Sequence, residues 1–142
     1  LVEEIGLLDE TLPRGYGEDT DLLLRATALE PVPVLDRPLV TVRWRGESHF
    51  VGRWADYVAA LDHLAAKHPA LLRTPGGARR LRSQLAFGLV AAGRRRAGLR
   101  MAARVLRSRP VQLRAWLAVV VGLRLVAPGR VVALARRLGK GI

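Results

Sequence analysis

Three carboxylates stand within four residues in Glu18-Asp19-Thr20-Asp21, directly after the glycine-flanked turn Gly15-Tyr16-Gly17 and directly before the apolar run Leu22-Leu23-Leu24. Like charges this close repel, so stability alone does not account for them. A carboxylate that faces a cleft can take a proton from a hydroxyl or bind a polar ligand. The competing reading is structural: Asp19 or Thr20 caps a helix, and the acids favour its positive N-terminus. The other chemistry-bearing residues are sparse. His49, His63 and His68 show no metal-ligand spacing. The absence of cysteine excludes disulfides, thiolate metal sites and cysteine nucleophiles.

The elements that must position these carboxylates can be read from periodicity and breakers. Residues 1–5 read as a helix end stopped by Gly6, and Pro13-Arg14-Gly15 as a turn. A helix is expected from about Asp19, burying Leu22, Leu23, Ala26 and Leu29 and ending before Pro31 and Pro33. Arg25 is placed to pair with Asp21 one helical turn away. Two extended segments, 32–36 and 39–45, are expected next, the second alternating Leu39, Thr41, Arg43 and Arg45 against Val40, Val42 and Trp44. After Gly52 the period becomes helical. Trp54, Tyr57, Val58, Leu61, Leu64 and Ala65 form an apolar face, on which core packing is the default for Trp54. Pro75-Gly76-Gly77 is the next break. A helical hairpin over 78–92 and 97–107 turns at Gly93 and resembles a single tetratricopeptide-like unit; one unit cannot form a solenoid, so an ordinary hairpin is favoured. A third helix covers 111–127. Its apolar run of 13 residues contains Arg124 and falls short of the ~20 that a membrane span needs. Residues 130–138 read as a last basic amphipathic piece.

Charge divides the chain. Residues 1–36 carry nine acids against two arginines, whereas from Arg73 onward there are 17 bases and no acid, within a total of +12. Such a stretch suits an anionic neighbour. An anionic membrane surface is favoured over nucleic acid, because aromatics are few and no nucleic-acid motif is present. The simpler reading is solvated helix faces in an arginine-rich proteome.

Three blocks in order carry a resemblance: Gly6-Leu7-Leu8-Asp9-Glu10, then Gly17-Glu18-Asp19-Thr20-Asp21-Leu22 with Arg25, then Val34-Leu35-Asp36-Arg37-Pro38-Leu39-Val40 with Arg43. Together they resemble the C-terminal part of the catalytic domain of family 2 glycosyltransferases, inverting nucleotide-sugar-dependent enzymes of the GT-A fold. The resemblance implies an α/β region over 1–50, with residues 51–74 as an amphipathic helix packed on it. An all-α basic helical extension follows over 75–142. It implies Asp19 as general base, Glu18 and Asp21 as residues that shape the acceptor pocket or cap the helix, and Arg43 or Arg45 as contacts to the donor diphosphate, with a solvated strand face favoured for the two arginines. Where family members often have Arg-x-His, this chain has Arg43-Trp44-Arg45.

The implied partners are a nucleotide-sugar donor and a glycan or lipid-linked acceptor. The implied cofactor, Mg²⁺ or Mn²⁺, would be held mainly by a donor-binding half expected before Leu1. The chain starts at Leu1 rather than Met, and truncation is the expectation that follows. The expected place of work is the cytoplasm, at the inner face of the cell membrane, in envelope polysaccharide synthesis. The rival from another class is a non-enzymatic basic helical adaptor for anionic membrane or nucleic acid.

Overall fold

The computed structural model describes residues 2–41 and 52–137. Among them the regular elements are helices: α1 (Val2–Ile5), a 3-10 turn (Pro13–Gly15), α2 (Glu18–Leu29), α3 (Trp54–Lys67), α4 (Ala70–Arg73), α5 (Pro75–Ala91), α6 (Arg95–Ser108), α7 (Leu113–Gly122) and α8 (Pro128–Arg137). The α/β GT-A expectation is therefore corrected: the described residues are all-helical, with no strand and no sheet. Residues 31–41 are exposed and form no regular element, with a bend at Asp36 and Arg37. Alternation alone does not make a strand, which needs a neighbour to take its backbone hydrogen bonds. Residues 42–45 of the second expected strand lie outside the described residues.

Helix α5 is the hub, packing against α3, α4, α6 and α7, while α6 and α7 pack on each other. Thr74 caps α5, its hydroxyl accepting the Gly77 N–H at 3.2 Å, and Pro75 occupies the first turn, where its missing N–H costs nothing. Small residues let the helices approach. A Cβ on Gly98 would stand 2.6 Å from Val90 Cγ1 and 2.8 Å from the Ala86 carbonyl oxygen. One on Gly122 would meet Leu99 at 2.7 Å. The shared core holds Ala86, Phe87, Val90, Ala102, Val105, Ala115, Ala118 and Val121.

The expected hairpin is present, with Gly93 at φ +82°. The Gly93 N–H donates to Val90 O (3.1 Å) and the Arg94 N–H to Leu89 O (2.8 Å), so the last carbonyls of α5 are satisfied. The C-terminus of α7 repeats this pattern, Arg124 N–H to Val121 O (2.9 Å) and Leu125 N–H to Val120 O (3.1 Å). There the left-handed position is taken by Arg124, at φ +63°, rather than by glycine.

The apolar face expected for α3 is the face it buries. Val58 and Leu61 meet Leu81, Leu85 and Leu89 of α5 on one side. Ala60 and Leu64 meet Leu12 on the other, with Tyr16 against them. Trp54 packs partly buried against the core, edge-on to Phe87 (centroids 5.5 Å) and to Tyr57 (6.0 Å), and Tyr57 is edge-on to Tyr16 (5.7 Å). This aromatic chain links the carboxylate-bearing turn to the centre of the bundle.

Candidate functional site

Helix α2 starts one residue earlier than expected, at Glu18, and neither Asp19 nor Thr20 caps it. The cap position is Gly17, in the left-handed conformation at φ +78°, whose carbonyl accepts the Asp21 N–H at 2.8 Å. Glycine is required twice over here. A side chain would be strained at that φ, and a Cβ would lie 2.7 Å from Leu64 Cδ1. The close approach of Gly17 to α3 fixes where the three carboxylates point.

They point to three different environments. Asp21 is completely buried, at 0% exposure. Its Oδ2 accepts from Arg25 Nε (2.9 Å) and its Oδ1 from His68 Nε2 (2.7 Å), while Lys67 Nζ straddles both oxygens at 2.9 and 3.1 Å. The Asp21–Arg25 pair expected from their spacing is thus present. Arg25 reaches further, donating to the Ile5 carbonyl and, at 2.7 Å, to Leu7 O. It thereby ties α1 and the following loop to α2. Burial pushes the Asp21 pKa up, but the hydrogen bonds from His68, Lys67 and Arg25 outweigh it and hold the carboxyl below its ordinary value.

Glu18 is half-buried and folds back over the turn, where a Cβ on Gly15 would stand 2.9 Å from its Oε2. Asp19 is exposed on the first turn of α2, its Oδ1 accepting the Thr20 N–H at 2.7 Å. Of the expected site residues, Glu18, Asp19 and Asp21 share one helical turn, and only Asp19 is open to solvent. Arg43 and Arg45 lie outside the described residues.

A fourth carboxylate joins Asp21 from the preceding loop. Asp9 Oδ2 accepts from Lys67 Nζ at 2.6 Å and stands 3.4 Å from His63 Nε2, while its Oδ1 accepts from the Thr11 hydroxyl (2.5 Å) and N–H (2.9 Å). These bonds, led by the one from Lys67, hold Asp9 far below the ordinary carboxylate range. The same contacts, that to Asp9 first, raise the pKa of Lys67. With Asp21, Asp9 thus anchors the N-terminal segment to the end of α3.

Sequence reasoning missed Lys67, His63 and His68 as members of this cluster, because they come from 42 or more residues downstream of Asp21. One signal was present: Lys67 is one of only two lysines in a chain that otherwise uses arginine. A compact ammonium with three donors can serve two carboxylates at once, where a planar guanidinium suits one.

The described residues do not fit a divalent metal. No group of three or more His, Cys, Asp or Glu side chains among them could hold a metal ion. Lys67 Nζ bridges Asp9 and Asp21, and Arg25 also donates to Asp21, so the two negative charges are already matched by two cations and leave no net charge to attract a metal ion. Comparison with protein-family models, with curated proteins and with solved structures gives no match.

Proposed function

We propose that the chain is part of a glycosyltransferase that moves a sugar from a nucleotide-diphosphate donor to a hydroxyl of a glycan or lipid-linked acceptor. Transfer inverts the anomeric centre, and Asp19 is the general base. The observation that carries this reading is the division among the carboxylates. Asp21 is sequestered in an ion cluster that fixes α2 in place, leaving Asp19 exposed on a rigid first turn. A base must reach the proton it removes and must not be neutralised by a permanent partner. Asp19 is exposed enough to receive an acceptor hydroxyl; Asp21 is not.

In this reading Asp19 takes the hydroxyl proton as the oxygen bonds to the anomeric carbon. Attack comes from the face opposite the departing diphosphate, which inverts the centre. Glu18, beside Asp19, borders the acceptor, and Arg43 or Arg45 meets the donor diphosphate, for which a guanidinium is suited. Asp21 serves by holding the helix. Most of the donor site, and any Mg²⁺ or Mn²⁺, is assigned to residues other than the described ones, so no step here runs through the metal. Residues 1–142 alone are then inactive.

The test is Asp19→Asn in the complete enzyme, assayed for sugar transfer and for donor binding. Transfer should fall by about a hundredfold or more with donor affinity unchanged. Turnover like wild type would remove Asp19 from the role, and transfer by residues 1–142 alone would refute the claim that the donor site lies elsewhere. A second reading, a non-enzymatic basic adaptor, is favoured by the exposed stripe Arg96, Arg100, Arg104 and Arg107 along α6. It expects Asp19→Asn to leave the cellular function intact.

A further inference from the structure

Helix α7 breaks the rule that a surface helix turns polar residues outward. Its inner side, Ala115, Ala118, Val121 and Gly122, is buried against α5 and α6. Its outer side carries Leu113 (61% exposed), Trp116 (50%), Val120 and Leu123 (53%), which recur at helical spacing as one apolar stripe. The only charged residue of the helix, Arg114, is partly buried and sits within electrostatic reach of Tyr57 and Arg80. Trp116 is held in place, its indole N–H donating to the Pro110 carbonyl at 2.7 Å.

Basic residues flank the stripe along the chain: Arg109 before α7, Arg124 two residues after it and Arg130 in the first turn of α8, all exposed. Arg124 occupies a left-handed position that glycine fills at the equivalent end of α5, at a backbone cost of roughly 1 kcal/mol.

We infer that this outer face of α7 docks on an anionic bilayer, with Trp116 and Leu123 entering the interface and Arg109, Arg124 and Arg130 meeting lipid phosphates. Charge decides between possible occupants. A second copy packed on the same face would set arginine against arginine, since residues 73–142 contain no acid to receive them. An anionic lipid surface accepts the apolar stripe and the guanidinium border together, and a half-exposed tryptophan with a fixed polar end suits the headgroup level. No described helix is long and apolar enough to cross a membrane, so the contact is peripheral. The inference does not rest on Asp19 and holds for either reading of function.

The experiment is co-sedimentation of the 142-residue chain with vesicles of phosphatidylcholine alone or with 30 mol% phosphatidylglycerol (about the anionic fraction that gives a strong surface potential), at low and high salt. Binding is expected only to the anionic vesicles and is expected to weaken with salt. Replacing Arg109, Arg124 and Arg130 by Gln should weaken it on the order of a hundredfold. Replacing Trp116 and Leu123 by Ser should weaken it about tenfold. These sites are exposed, so circular dichroism should be unchanged. The chain lacks cysteine, so Leu123→Cys and Glu30→Cys each accept a single environment-sensitive dye. The dye should shift to the blue on anionic vesicles at position 123 and not at 30. Equal binding to both vesicle types, no binding, equal dye shifts, or concentration-dependent self-association that the Trp116 and Leu123 changes abolish would each overturn the proposal.

Discussion

The N-terminal segment and the helical bundle that follows it are held by different physics. Residues 2–29 bury little apolar surface: of α2 only Asp21 and Ala26 are buried, while Leu23 and Leu29 face outward. Their attachment to α3 relies on charge, through Asp9 and Asp21 on Lys67, with a small apolar contact of Leu12 against Ala60 and Leu64. Helices α5, α6 and α7 do the reverse, meeting through alanines, glycines and valines and leaving most of their arginines outside. A helix anchored by a charge cluster keeps its orientation without a large core. A bundle packed on small residues tolerates many surface charges, and those charges are free to meet a partner.

The comparison is broken most severely in the bundle. Phe87→Ala empties a fully buried position at the junction of the Trp54 contact and the main core, and should cost about 3–5 kcal/mol in urea unfolding. Gly98→Ala drives a Cβ against the Ala86 carbonyl, which is backbone and cannot give way, and should cost about 1–3 kcal/mol. Gly76→Ala, with nothing within 4 Å of the new Cβ, should not destabilise.

On the other side, Lys67→Met leaves Asp9 and Asp21 without their shared cation. Its expected cost is about 2 kcal/mol, below the full penalty for a buried pair because Lys67 is a third exposed. This cost should depend on pH, whereas that of Phe87→Ala should not. Asp21 has a lowered pKa, so its contribution is complete above the ordinary carboxylate value of 3.8 and is lost as pH falls through the folded-state pKa below it. Lys67 has a raised pKa, so its contribution is complete below 10.5 and is lost as pH rises through the higher folded-state value. Unfolding midpoints of wild type and Lys67→Met should therefore converge at both extremes. A small effect is expected from Arg14→Ala, which removes an exposed pair with Asp56 and should cost about 0.5 kcal/mol or less.

Local signals made the bundle legible in the sequence. The α3 stripe, the Gly93 turn and the helical hairpin it joins each depend on neighbours in the chain. The Asp21–Arg25 pair was legible for the same reason. The face of α2 was not. Hydropathy alone places Leu23 and Leu29 inward, and what reverses this is a lysine and a histidine at the far end of α3, brought there by tertiary contact. The strands expected over 32–41 fail on the same principle, because pairing is a property of the neighbour and no described residue supplies one.

The division between Asp19 and Asp21 is the central claim, and equilibrium urea unfolding of Asp19→Asn and Asp21→Asn at pH 7 tests it most directly. The account predicts that Asp21→Asn loses about 3 kcal/mol or more. Asp19→Asn should stay within about 0.5 kcal/mol of wild type, as befits an exposed residue not needed to hold the fold. Equal losses from the two changes, or a larger loss from Asp19→Asn, would contradict it.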